Sequence, residues 1–139
     1  MGNELRCDDG LGPLFAKKII PLIKDNNKIN IIDGGIVPEN FTLDIKKTKP
    51  THLIIVDAVM MGEVAGFINI IEKEKINEFN VSCHSMPITF LLKFLETEIS
   101  FKVILIGIQP ENLDFGDTIS ENVLLSVDHL INIFKENII

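Results

Sequence analysis

The chain has little of what would place it in a special class. Its 139 residues include two cysteines, Cys7 and Cys83, and no tryptophan or tyrosine. Two cysteines make no disulfide framework, so a reducing, cytoplasmic setting is expected. No apolar run reaches the roughly 18 residues that a membrane-spanning helix needs. The N-terminal residues show no basic-then-apolar leader pattern. Nine glycines and six prolines are spread without a low-complexity tract or internal repeat. Basic charge is scarce too: 13 Lys and Arg stand against 20 Asp and Glu, a net charge of −7. Such a surface repels phosphate backbones and anionic headgroups, so neither nucleic acid nor membrane insertion is expected. The lysines between Lys17 and Lys49 read as solvated helix faces. There is no Gly-x-Ser-x-Gly elbow and no complete phosphate-binding loop. Gly10-Leu11-Gly12 alone is too little for a dinucleotide site.

What is present reads as one domain over residues 1–139, with 46% hydrophobic and 24% charged residues. Leu11, Leu14, Phe15, Ile19, Leu22 and Ile23 recur at helical spacing, with Asp8 or Asp9 as the N-cap and a kink at Pro21. Asn30-Ile31-Ile32-Asp33 reads as a short strand stopped by Gly34-Gly35. Pro38 to Lys49 reads as a short helix or turn-rich crossover. His52 to Val56 is a continuous apolar run, as for a strand buried on both faces. Gly66 to Ile71 reads as a strand pairing antiparallel with it. Pro87 to Glu96 reads as a helix, Phe101 to Ile106 as a strand, and Ser120 as the cap of a last helix ending near Glu136. Strands alternating with helices predict a parallel sheet in a three-layer α/β/α sandwich, with ligands outside the carboxyl ends of the strands. Such a domain normally opens with a strand leading into the first glycine turn. Here that turn starts at residue 2, so the first strand is expected to be missing from the chain.

Three segments carry chemistry: the acidic turn Gly2 to Gly10, the strand Leu53 to Ala58, and Cys83-His84-Ser85-Met86-Pro87. Asp9, Asp57 and His84 supply two hard oxygens and one imidazole, a set suited to Ni, Zn, Fe or Mn with open positions left. Each residue alone has a plainer reading: helix cap, strand-end polar residue, hydrogen-bonded histidine. Asp33 is either a fourth acid of the same cleft, a residue orienting the backbone beside it, or a turn residue. Cys7 and Cys83 read as small buried thiols, with soft ligands the alternative. Met60, Met61 and Met86 gather near the expected cleft as core packing or as a peptide groove.

Gly2-Asn3-Glu4-Leu5-Arg6-Cys7-Asp8-Asp9-Gly10-Leu11-Gly12 resembles the opening motif of the [NiFe]-hydrogenase maturation endopeptidases. Asp33-Gly34-Gly35, Ile55-Val56-Asp57-Ala58, His84-Ser85-Met86-Pro87 and Gly107-Ile108-Gln109-Pro110 follow in that family's order. The resemblance spans nearly the whole chain and points to the branch serving the large subunits of hydrogenase 3-like, membrane-associated or methanogen-type enzymes. It implies a three-layer α/β fold with a twisted, mostly parallel sheet of about five strands. It implies removal of a C-terminal extension from the hydrogenase large-subunit precursor after nickel insertion. The family's metal ligands fall on Asp9, Asp57 and His84, with Asn3, Asp8 and Asp33 supporting the cleft. The resemblance further implies nickel supplied by the precursor rather than held permanently; a monomer is expected as the working form. The family often begins with an apolar strand ending Gly-x-Gly-Asn, of which this chain keeps Gly2-Asn3. Two other readings stand beside the protease: a maturation chaperone that binds the precursor without cutting it, and a metal-dependent hydrolase on the same fold.

Overall fold

A computed structural model of the chain describes residues 1–23, 26–81 and 87–139. Its centre is a parallel pair, β1 (His52–Met60) and β4 (Lys102–Ile108), in register from His52 opposite Lys102 to Ala58 opposite Ile108. β2 (Ile68–Ile71) runs antiparallel along the outer side of β4, and β3 (Asn80–Val81) antiparallel to the end of β1. The order is β2-β4-β1-β3. The helices are α1 (Leu11–Ile19), α2 (Thr42–Thr48), α3 (Ile88–Glu96) and α4 (Glu121–Asn137).

Strand alternation divides the interior into two cores. Val56, Ala58, Ile106 and Ile108 face α1 and α4, where they meet Leu11, Phe15, Val127 and Phe134. Ile55, Val59 and Leu105 face the other way, onto Ile45 of α2 and Ile88, Leu92 and Leu95 of α3. Helices on both faces explain the apolar runs Leu53 to Val56 of β1 and Val103 to Ile106 of β4. Phe15 and Phe134 meet edge to face at 5.2 Å and 74°, which fixes α1 against α4. This is the expected three-layer sandwich.

Several local expectations change. The sheet is parallel only in its central pair; both outer strands described are antiparallel, and four strands are described rather than about five. Ile68–Ile71 pairs with β4, not with β1. One face of β2 is open, with Ile70 67% exposed, which suits an edge and not a position beside the doubly covered β1. No strand forms at residues 30–33. Ile31 and Ile32 face an open slot beside β1, so no neighbouring ladder supplies their main-chain partners. Pro21 acts as expected: α1 stops at Ile19 and one 3-10 turn follows, Ile20–Leu22.

Candidate active site

The acidic turn is held by close backbone approaches. Gly2 has φ of +132°, and its N–H donates to Gly35 O at 2.9 Å. A Cβ there would stand 1.8 Å from Asp9 O. Both the dihedral and the contact require glycine. Gly2→Ala is therefore expected to lower stability by about 2 kcal/mol or more, from a strained dihedral and displaced backbone. Chemical denaturation checks it; an unchanged midpoint would contradict this packing.

Asn3 works in both directions along the turn. Its N–H donates to Asp9 Oδ2 at 3.0 Å, and its own Oδ1 accepts from Leu5 N at 2.9 Å. The carboxylate of Asp9 is thereby aimed by the main chain, and the residue is buried at 5% exposure. Asp33 lies outside this cluster. It is exposed, and its Oδ1 accepts from Gly35 N at 3.1 Å, as in an Asx turn. Gly35 is also the acceptor for Gly2, so Asp33 shapes the loop on which the acidic turn leans. Lys17 pairs with Glu4 at the outer edge. The hydrogen bond to Glu4 and the charge of that carboxylate raise the Lys17 ammonium above its ordinary range. The pair is exposed, so solvent screens it.

The expected helix cap is not made by either acid. Residues Cys7–Gly10 form a 3-10 turn, and α1 begins behind Gly10 with no side-chain cap. Asp8 turns away instead, fully buried, and collects the loop that follows β4. Its Oδ2 accepts from Glu111 N at 2.8 Å, Asn112 N at 2.9 Å and Ser120 Oγ at 2.9 Å, and its Oδ1 accepts from Ser120 N at 2.6 Å. Ser120 does occupy the N-cap position of α4, yet its hydroxyl serves Asp8 rather than the helix. Further bonds join the same two segments. Cys7 N donates to Gly116 O at 2.7 Å, Gly116 N to Leu5 O at 2.9 Å, and Arg6 Nε and Nη2 to Leu113 O at 3.1 and 3.0 Å. Cys7 is a buried thiol against Gly116 and accepts from Asn112 Nδ2 at 3.6 Å.

Asp57 lies within β1 rather than at its end, one residue before the last rung of the parallel ladder, and is fully buried. Its Oδ1 accepts from Ala58 N at 2.9 Å. Strand alternation turns its side chain to the face of Ile55 and Val59, the face that α3 covers. The Cys7–Gly10 turn packs directly on β1, so Asp9 and Asp57 belong to adjoining elements at the carboxyl end of the parallel pair. His84, Cys83, Ser85 and Met86 lie outside the described residues. Among the described residues no third His, Cys, Asp or Glu joins the two acids in a metal-sized group.

Sequence reasoning gave Gln109 no role. It is buried, and its Oε1 accepts from Met61 N at 2.7 Å and Glu63 N at 3.4 Å, while its Nε2 donates to Pro110 O at 3.1 Å. It thus ties the loop after β1 to the loop after β4. A long polar residue directly behind an apolar strand was the available signal. Met61 packs partly on the core and Met60 is exposed at the rim.

Residues 15–137 match the family model described as hydrogenase maturation protease. The hydrogenase 3 maturation protease of Escherichia coli K12 is 42% identical over 116 residues, covering 83% of this chain and 72% of that protein. The crystal structure of a [NiFe] hydrogenase maturation protease from Thermococcus kodakarensis superposes with a TM-score of 0.86 at 27% identity, over 97% of this chain and 86% of that one. The solution structure of an endopeptidase from Escherichia coli gives a TM-score of 0.81 at 34% identity, over 97% and 85%.

Proposed function

The chain belongs to the hydrogenase maturation protease family, and from that premise we propose that Asp9, Asp57 and His84 meet a nickel ion carried by a hydrogenase large-subunit precursor. The activity is that of an endopeptidase, removing the precursor's C-terminal extension. The observation that carries the reading is the pair of buried carboxylates on adjoining elements at the carboxyl end of the parallel strands. Buried carboxylates are costly unless hydrogen bonds or a cation meet them. Main-chain N–H groups of Asn3 and Ala58 donate to them, and carboxylate oxygens suit a divalent ion with an imidazole as third donor.

Nickel here is cargo of the substrate. Held by the precursor, it completes its coordination on the protease, and cleavage then reports that insertion has occurred. The ion supplies Lewis-acid character at the scissile carbonyl or to the attacking water. Water adds to the carbonyl carbon, the C–N bond breaks, and the departing amine takes the proton. Asn3 and Ala58 keep the acids oriented, while the loop bound by Asp8 walls the turn. We assign this activity to a monomer in the cytoplasm. No helix among the described residues is long and apolar enough to cross a membrane.

The test uses two forms of one precursor, nickel-loaded and nickel-free, with shortening followed by gel mobility. Only the loaded form is expected to be cut. Equal cleavage of both would remove nickel reading. A precursor that binds but stays full length would make the protein a maturation chaperone. Tightly held, stoichiometric metal in the isolated protein would favour a hydrolase with a resident ion.

A further inference from the structure

Phe115 is 85% exposed, more than any other large apolar side chain among the described residues, and Leu5 is 61% exposed. They are far apart in sequence and adjacent in space. Arg6 and Gly116 form a parallel bridge, closed by Cys7 N to Gly116 O at 2.7 Å and Gly116 N to Leu5 O at 2.9 Å. Leu5 and Phe115 each stand one residue before that bridge, so they are neighbours in register. The main chain beneath them is fixed. Asp8 holds the N–H groups of Glu111, Asn112 and Ser120, the Arg6 guanidinium holds Leu113 O, and Asn112 Oδ1 accepts from Asp114 N at 2.8 Å. A loop pinned in this way keeps an aromatic ring in water, at a hydrophobic cost that a partner would relieve. Because the backbone is already ordered, covering the ring loses little further freedom.

The pair is continuous with the cleft. Leu5 N donates to Asn3 Oδ1, and Asn3 N donates to Asp9 Oδ2, so a polypeptide seated on Asp9 meets Leu5 and Phe115 beside it. The surrounding charge has one sign. Glu4, Glu111, Asp114 and Asp117 are exposed, and residues 109–120 contain no Lys or Arg. Lys17 pairs with Glu4, and Arg6 is turned in to Leu113 O, which leaves the acids of the 111–117 loop in excess. A second copy of the chain is a poor occupant. A two-fold contact would set Asp114 and Asp117 against their own kind. Two side chains also cover far less than the roughly 800 Å² per partner of a stable dimer. They suit an anchor at the edge of a larger contact whose centre is the cleft.

We propose that Leu5 and Phe115 are the docking anchor for the hydrogenase large-subunit precursor, entering an apolar depression of that protein rimmed by Lys and Arg. The inference rests on the precursor being the substrate, and it adds the surface that holds it. The anchor lies outside the buried carboxylates, so it contributes binding that is the same in the ground state and the transition state. Such binding sets KM and leaves kcat alone. The acids around it act on encounter, by drawing the basic rim toward the cleft.

The test uses fluorescently labelled, nickel-loaded precursor, with association and dissociation read by rapid mixing ahead of cleavage and shortening read on gels. Phe115→Ser is expected to raise Kd and KM about 30-fold, and Leu5→Ser about 5-fold, at unchanged kcat and melting temperature. Phe115→Leu, which keeps an apolar contact, is expected to recover most of the binding. Unchanged Kd and KM in Phe115→Ser would overturn the docking surface and leave the protease reading intact. If the wild-type chain cuts nothing, Kd alone decides: weaker binding by Phe115→Ser keeps the docking surface, and equal binding overturns it. A wild-type chain that does not bind the precursor overturns it as well. The double variant Asp114→Asn, Asp117→Asn is expected to slow association about 5-fold at about 50 mM salt and to flatten its salt dependence. An unchanged salt response would overturn the basic rim.

Discussion

Asp57→Asn is expected to abolish precursor cleavage while the fold survives. The substitution keeps the side-chain volume at a fully buried position, and its carbonyl oxygen can still accept from Ala58 N, now at 2.9 Å from Oδ1. What disappears is the charge and one oxygen with ligand character. Metal stabilisation of the transition state amounts to several kcal/mol, so losing a ligand costs about 100-fold or more in cleavage rate. Stability should stay level or rise, because an amide is cheaper to bury than a carboxylate. Cleavage assays on nickel-loaded precursor, run beside thermal melts, separate the cases. Near-native cleavage would remove Asp57 from the ligand set; loss of both cleavage and folding would make the residue structural. Asp9→Asn, which keeps an acceptor for Asn3 N–H, should behave the same way.

The layers were legible from the sequence because they follow from periodicity. The apolar run at residues 52–56 and the helical spacing in 11–19, 88–96 and 121–137 admit one sandwich, with helices on both faces. Pairing was less legible, since it depends on which strand has an open face. Ile68–Ile71 could be seen as a strand, but only the exposure of Ile70 tells that it is an edge beside β4. Residues 30–33 show the limit of local pattern: Asn30-Ile31-Ile32 has strand composition, and a strand still requires a partner. In the site, the residue types were legible and the division of labour was not. Two adjacent acids look alike in sequence, and either one suits a helix cap. In the structure neither caps α1, and they point at different parts of the molecule. Ser120 was legible as a helix start, but its bond to a residue 112 positions away was not.

That division predicts opposite behaviour for Asp8 and Asp9. Asp8→Ala should damage the fold first. The carboxylate accepts four hydrogen bonds, three from main-chain N–H groups of Glu111, Asn112 and Ser120 and one from the Ser120 hydroxyl. Hydrogen bonds to a charged acceptor contribute more than neutral ones, and removing the acceptor leaves several donors at once without a partner. The expected cost is about 3 kcal/mol or more, read as a lower denaturation midpoint at unchanged slope. Asp8→Asn should recover little, because its amide nitrogen would face donors where an oxygen is needed. The loop from Glu111 to Ser120 would loosen with it, and since Cys7, Arg6 and Leu5 bond the same loop, the acidic turn would follow. Activity of the Asp8 variants should therefore fall in step with the folded fraction and return when low temperature restores folding. Asp9→Asn should lose activity at full folding. If the Asp8 variants stay inactive while fully folded, Asp8 belongs to the chemistry, and the two neighbouring acids share one role instead of dividing two.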